Sequence, residues 1–208
     1  ASAVAHFVAI QFGAEAEVYT IVETTAFAPI ACVKVLILGV ACAVVGICFC
    51  FLLHKVSKLM KRYGYNDYVR ILGGGTLIMC LTVLTGCYDY NGSGAAIIEQ
   101  AIAGKAVWYA FLLKMIFTAI TLGSGYKGGE IVPSFFIGST MGCVVGPLLG
   151  LPASLSAAMG LIGVFCAVVN CPMASIIMSI ELFGSENLPF FAIICAVSYM
   201  LSGPFSLY

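Results

Sequence analysis

The sequence predicts an all-α membrane protein, a polytopic bundle with short, broken and re-entrant helices. Three observations carry this. Hydrophobic residues fill 62% of the 208 positions and charged residues only 9%, against roughly 25% charged in a soluble domain. So little polar surface cannot cover a soluble core. The apolar residues come in long runs parted by brief polar turns. Several of these runs are too short to cross ~30 Å of hydrocarbon, and such broken helices mark ion and solute transporters.

Residues 1–12 read as a short apolar helix and 13–25 as a more polar connection. Residues 26–53 suffice for one tilted span, with Pro29 as a point of division. A basic loop is expected over 54–69. Five of the nine Lys and Arg residues fall between Lys55 and Arg70, which places that loop on the cytoplasmic side. Residues 70–87 form the next span, weakened near its start by Gly73, Gly74 and Gly75. Tyr88 and Tyr90 then suit a membrane–water interface. A short helix is expected over 94–103 and a segment long enough to span over 106–122. A glycine-rich turn opens the next helix, from about 130 to 147, which Gly146, Pro147, Gly150 and Pro152 end. Helices over 154–169, 171–183 and 188–202 follow, and Gly203-Pro204 breaks the chain before Tyr208. Asn170-Cys171-Pro172 reads as an N-cap followed by a first-turn proline. Broken helices often come in inverted repeats, and one half of such a repeat has about this length. Residues 1–208 are therefore expected to be one half of an inverted-repeat transporter fold, within a longer protein.

A net charge of zero gives no electrostatic case for nucleic acid. Of ten cysteines, Cys42, Cys48, Cys50, Cys80, Cys143, Cys166 and Cys195 sit inside apolar runs, where a free thiol behaves as a small hydrophobe. His6 and His54 lie far from any cysteine cluster in sequence. No metal set, nucleophile or acid/base pair stands in register, so no enzyme, catalytic residue, metal or cofactor is expected.

The stretch that carries chemistry is GSGYKGGEIVPSFFIGSTMG, from Gly123 to Gly142. With Gly129 as N-cap, Glu130, Ile131 and Val132 occupy the first helical turn and Pro133 follows. First-turn N–H groups have no intrahelical acceptor, and Pro133 is tolerated only near a helix start. Gly128 and Gly129 allow a sharp turn with no Cβ in the way. The result is a concave set of donors on the positive end of the helix dipole. An anion would be held there without a full positive charge to trap it, as ion throughput requires. The same residues also fit an ordinary glycine-rich cap between helices.

This stretch resembles the second anion-site motif, usually written GxFxP, of the CLC family of chloride channels and chloride/proton antiporters. NCPMASIIMSIELFG, from Asn170 to Gly184, is similar to the family's later Ala-Pro-containing helix. SGPFSLY, from Ser202 to Tyr208, is similar to the closing segment that supplies its central tyrosine. The resemblance covers essentially the whole chain, as the C-terminal half of the transmembrane domain. It implies an anion site made of Gly128, Gly129, the amides of Glu130 and Ile131, and the Tyr208 hydroxyl. It also implies small anions as cargo, chloride first, a channel or a proton-coupled antiporter, and a homodimer in the lipid bilayer of the plasma membrane. The family's Gly-Ser-Gly-x-Pro and Gly-x-Glu-Gly-Pro turns are expected upstream.

Two departures stand out. Ile131 replaces the motif's Phe, and Glu130 stands where chloride-handling members commonly have an apolar residue. Glu130 is thereby a candidate proton carrier or gate, since burial and a neighbouring anion favour a protonated carboxyl. It equally fits a first-turn glutamate on the helix dipole with its side chain in water. A glutamate here also resembles the family's fluoride/proton antiporter branch, which tends to place Thr where this chain has Val132. Fluoride is the alternative cargo. A non-transporting structural subunit is the alternative of another class. Lys127 reads as a steering charge or a solvated one, Lys34 and Lys114 as snorkelling side chains, and Glu181 as an intramembrane or interfacial carboxylate.

Overall fold

The computed structural model describes residues 8, 11–13, 18–63 and 66–203. Among these, eight helices of eight residues or more follow one another. They are α1 (Pro29–Tyr63), α2 (Asp67–Thr85), α3 (Ala95–Ile102), α4 (Ala110–Gly123), α5 (Ile131–Leu148), α6 (Ala153–Val169), α7 (Pro172–Phe183) and α8 (Leu188–Ser202). No strand occurs among the described residues. By length and composition α1, α2 and α5 are able to cross a membrane. The other five are shorter, and α4, with 14 residues, reaches about 21 Å rather than spanning as expected.

Three boundaries differ from the sequence expectation for physical reasons. Pro29 does not divide the first apolar run. It opens α1 as the first helical residue, where its missing N–H costs nothing. Nor is the basic stretch a loop: α1 has 35 residues and carries Lys55, Lys58, Lys61 and Arg62 on its last turns. Lys, Leu and Met are strong helix formers, and cations near a helix C-terminus favour the dipole. Farther along, Asn170 is the C-cap of α6 at φ 60°, and Cys171 is the N-cap of α7 ahead of Pro172. An asparagine tolerates the left-handed conformation that ends a helix, so it closes one helix rather than opening the next. Its amide nitrogen donates to the Gly203 carbonyl at 3.1 Å, tying that corner to the end of α8.

α6 is the axis of the bundle. Every residue from Ser154 to Val168 is buried, and α6 touches α1, α3, α5, α7 and α8. Its contact with α5 is the most extensive in the structure, because glycines let the two backbones meet. A Cβ on Gly138 would overlap the Gly160 carbonyl, one on Gly142 the Ser156 carbonyl, and one on Gly160 the Gly138 carbonyl. Hydroxyls inside the helices bond to their own chain. Thr140 donates to Phe136 O at 2.7 Å, Ser175 to Cys171 O at 2.8 Å and Thr121 to Phe117 O at 2.7 Å. That settles polar groups where no water competes for them.

Neither of the two expected snorkelling lysines is a free end. Lys34 donates from α1 to the Gly150 carbonyl in the α5–α6 turn at 3.0 Å, where a cation complements the helix C-terminus. Lys114 is 1% exposed. Its Nζ donates to the carbonyls of Tyr90 at 3.2 Å and Gly92 at 2.5 Å, and lies 5.0 Å from the centre of the Phe136 ring. It points inward because those groups take the place of water. All ten cysteines are free thiols. Cys42, Cys50, Cys143, Cys166 and Cys195 are buried, while Cys48 and Cys80 lie on exposed faces of the apolar helices α1 and α2. Glu181 is exposed near the end of α7. The α2 helix buries only Gly74 and Thr82 and leaves Leu72, Met79, Val83 and Leu84 uncovered.

Three outcomes check this packing, each read as thermal unfolding of the detergent-solubilised full-length protein. Gly142→Ala destabilises by about 2–3 kcal/mol, because backbone rather than a flexible tip opposes the new Cβ. Gly129→Ala, whose Cβ would meet open space, stays within about 0.5 kcal/mol of the wild type. Lys114→Met strips the donor from two carbonyls and costs about 1–3 kcal/mol.

Candidate anion site

The site is built where α4 stops and α5 starts. Ser124 caps α4, its N–H donating to Ile120 O at 2.9 Å and its hydroxyl to the same carbonyl at 2.6 Å. The chain then turns at Gly125, whose φ of +97° only glycine adopts without strain. That corrects the expected position of the sharp turn. Gly128 and Gly129 have no left-handed φ, and Gly129 faces open space. They act as uncovered backbone rather than as the hinge.

The N-cap is Glu130, one residue later than expected, at φ −97° and ψ −19°, with no capping bond from its side chain. Its carbonyl accepts the N–H of Ser134 at 3.2 Å. Ile131 and Val132 therefore fill the first turn, where N–H groups lack an intrahelical acceptor, and Pro133 is the third helical residue. On the protein side, the Ser134 hydroxyl bonds back to Ile131 O at 2.6 Å. That side chain is fully buried, so the first turn is locked from within and open from without. Ile131 and Val132 are each 39% exposed.

A cavity of about 380 Å³ opens beside the turn. Gly128, Gly129, Val132 and Pro133 form one wall. Lys114, Thr118 and Thr121 of α4 and the 90–93 stretch of the α2–α3 loop form the others, with Lys127 at the turn itself. Its lining includes two lysines and no carboxylate. Among the described residues, the partners of Lys114 are carbonyl dipoles and an aromatic face, with no acid paired to it. The start of α5 adds the positive end of a helix dipole beside the two lysines.

The expected site residues are partly brought together. Gly128 and Gly129 line the cavity, whereas Glu130 and Ile131 sit at its edge and are not part of its wall. Glu130 is half-buried. Among the described residues the side-chain ion pair is Arg70 with Asp67, and Glu130 has no such partner. Lys127 is exposed. Tyr208 lies outside the described residues. Sequence reasoning missed Lys114 as a wall of the site. Its signal was a lone cation inside an apolar run, but its partners at Tyr90 and Gly92 are more than twenty residues away.

The fold and turn can be set beside known proteins. The family model described as voltage gated chloride channel matches residues 1–203. A "Chloride/fluoride channel protein" of Pseudomonas syringae pv. tomato is 36% identical over 176 residues, covering 82% of this chain and 39% of that protein. An "H(+)/Cl(-) exchange transporter ClcA" of Yersinia pestis bv. Antiqua is 28% identical over 168 residues, covering 74% of this chain and 35% of that protein. The crystal structure of a CLC-type fluoride/proton antiporter superposes with a TM-score of 0.93 at 34% identity, over 97% of this chain and 51% of that one. The chain thus spans about half the length of the solved structure and less than half of these relatives. With its helical order, its glycine turn and a family match over nearly every residue, the chain belongs to the voltage-gated chloride channel (CLC) family.

Proposed function

We propose that the full-length protein carries small anions through a membrane, and that this chain supplies the half of the pathway built on the α5 start. The observation that carries the reading is the acid-free cavity, walled by Lys114, Lys127 and the bare backbone of Gly128 and Gly129. Such a wall offers an anion backbone N–H groups, with the Lys114 ammonium already engaged by the Tyr90 and Gly92 carbonyls. Chloride is the first cargo, with the amides of Glu130 and Ile131 as donors on the pathway side and the Tyr208 hydroxyl completing the site. The protein works as a homodimer in the plasma membrane, a pathway in each subunit.

A second reading, fluoride/proton antiport, is favoured by two observations. Glu130 puts a carboxylate at the helix start. The relative and the structure whose names include fluoride share 36% and 34% identity with this chain, against 28% for the named chloride exchanger. A carboxylate beside an anion site repels a halide when ionised and admits it when protonated. Such a group links anion passage to proton movement.

The deciding experiment loads liposomes containing the full-length protein with chloride or fluoride and records anion efflux together with proton flux. Chloride efflux accompanied by proton movement supports exchange, and chloride efflux alone a channel. Efflux of fluoride in large excess over chloride replaces the first reading by the second. No efflux of either ion from folded protein overturns both. In the same assay Glu130→Gln, which cannot exchange a proton, weakens proton coupling and flattens the pH dependence of anion efflux. Unchanged coupling removes Glu130 from any proton role.

A further inference from the structure

The turn that leads to α5 is fastened to α2, a helix that lines no part of the cavity. Arg70, in the first turns of α2, donates from Nε to the Ser124 carbonyl at 3.2 Å. Its Nη2 also meets the exposed Asp67 carboxylate at 3.0 Å, while the Arg70 side chain itself is only 16% exposed. The Tyr126 hydroxyl donates back to the Ile71 carbonyl at 3.0 Å. The two bonds run in opposite directions between the same elements, so residues 124–126 are stapled from both sides.

The three consecutive glycines of α2 explain how the staple closes. A Cβ on Gly74 would overlap the Ser124 side chain, and one on Gly75 would stand 2.6 Å from the Tyr126 hydroxyl. Gly125 completes the fit, because a Cβ there would come within 2.9 Å of Arg70 Nη2. Helix interiors usually exclude glycine at a cost of about 1 kcal/mol each. Here two of them are needed for close approach. Nothing in the structure explains Gly73, whose Cβ would meet no neighbour.

Only Lys127, Gly128 and Gly129 separate the staple from the N-cap, and all three are exposed. Beyond them α5 is locked onto α6. The donors at the helix start therefore hang between two fixed points, and the direction of their N–H groups is set by where residue 126 is held. We propose that Arg70, assisted by Tyr126, is a positioning residue for the anion-binding turn. It orients the amides at Gly129–Ile131 without touching the ion. This rests on reading that turn as an anion site.

The test measures chloride and fluoride efflux against ion concentration, using full-length protein in liposomes. Arg70→Met, which keeps the stem and removes the donor, raises the half-saturating anion concentration about tenfold, as loss of a charged hydrogen bond implies. Its maximal rate changes little. Arg70→Lys recovers part of the loss, because an ammonium still reaches the Ser124 carbonyl. Tyr126→Phe shifts half-saturation the same way by a smaller factor. Asp67→Asn leaves the curve unchanged, since its carboxylate is 78% exposed and such surface pairs contribute little. A role in holding the fold alone predicts a lower maximal rate at constant half-saturation, and that result overturns the proposal. So does an Arg70→Met curve that overlays the wild type. Should Arg70→Met not yield folded protein, Tyr126→Phe decides by the same criterion. Wild-type protein without saturable efflux overturns the site reading itself, whereas saturable wild-type efflux with unmoved variants overturns this proposal alone.

Discussion

Backbone contact between α5 and α6 is the constraint from which the rest of this chain takes its form. Inside a membrane two apolar helices gain nothing from leaving water, so association depends on close packing. Gly138, Gly142 and Gly160 remove the side chains that would hold the backbones apart. That fixes the axis of α5 and the place where its first turn emerges. The buried stretch Ser154–Val168 then serves as a rigid post against which α1, α3, α7 and α8 also lean. A helix start aimed at a cavity is useful only if it does not move, and a glycine-to-glycine seam has little freedom to slide.

The buried lysine shows how charge is handled inside this frame. An ammonium moved into an apolar interior without partners costs several kcal/mol. Lys114 avoids most of that by taking two carbonyls and the face of Phe136 as its shell. No carboxylate neutralises it, which separates this arrangement from a structural ion pair. The local hydrogen bonds offset the cost of burial, and the lysine lines the adjoining cavity. Lys127 and the positive end of the α5 dipole stand beside it. Glu130 stands at the N-cap of α5, so the charge at the helix start depends on the protonation of that carboxyl.

Most of the helices were legible in the sequence, because apolar runs bounded by glycine and proline are the strongest signals a membrane chain offers. The α3, α6, α7 and α8 ranges match expectation within a residue or two. The extension of α1 through Lys55–Arg62 was not legible. Clustered cations mark a side of the membrane, yet they say nothing about helicity. Asn170 deceived for a related reason, since its side chain suits a helix start and its backbone suits a helix end. The GGE turn was readable because its residues are adjacent in the chain. The features that surround it were not. Lys114 meets Gly92, and Arg70 meets Ser124 across 54 residues, and no local pattern reports a partner that distant. The glycine triplet of α2 was visible but read as a weakness, when two of its members are there for close approach.

These two kinds of glycine contact complement each other. Those of the α5–α6 seam hold the helix behind the site, and Gly74 and Gly75 admit the residues ahead of it. Between the two anchorages lies Gly128-Gly129, a dipeptide with no side chains and no left-handed strain. A turn held rigid throughout would bind an anion tightly and release it slowly. A turn held loosely would not keep its N–H groups convergent, and each ion bound would first have to order it. Under the proposed anion-site reading, fixing both ends while leaving two bare peptide units between them would give convergent donors and an open exit at once. On that reading the geometry of the turn is set mainly by which residues lack a Cβ, and only secondarily by the charged groups around them.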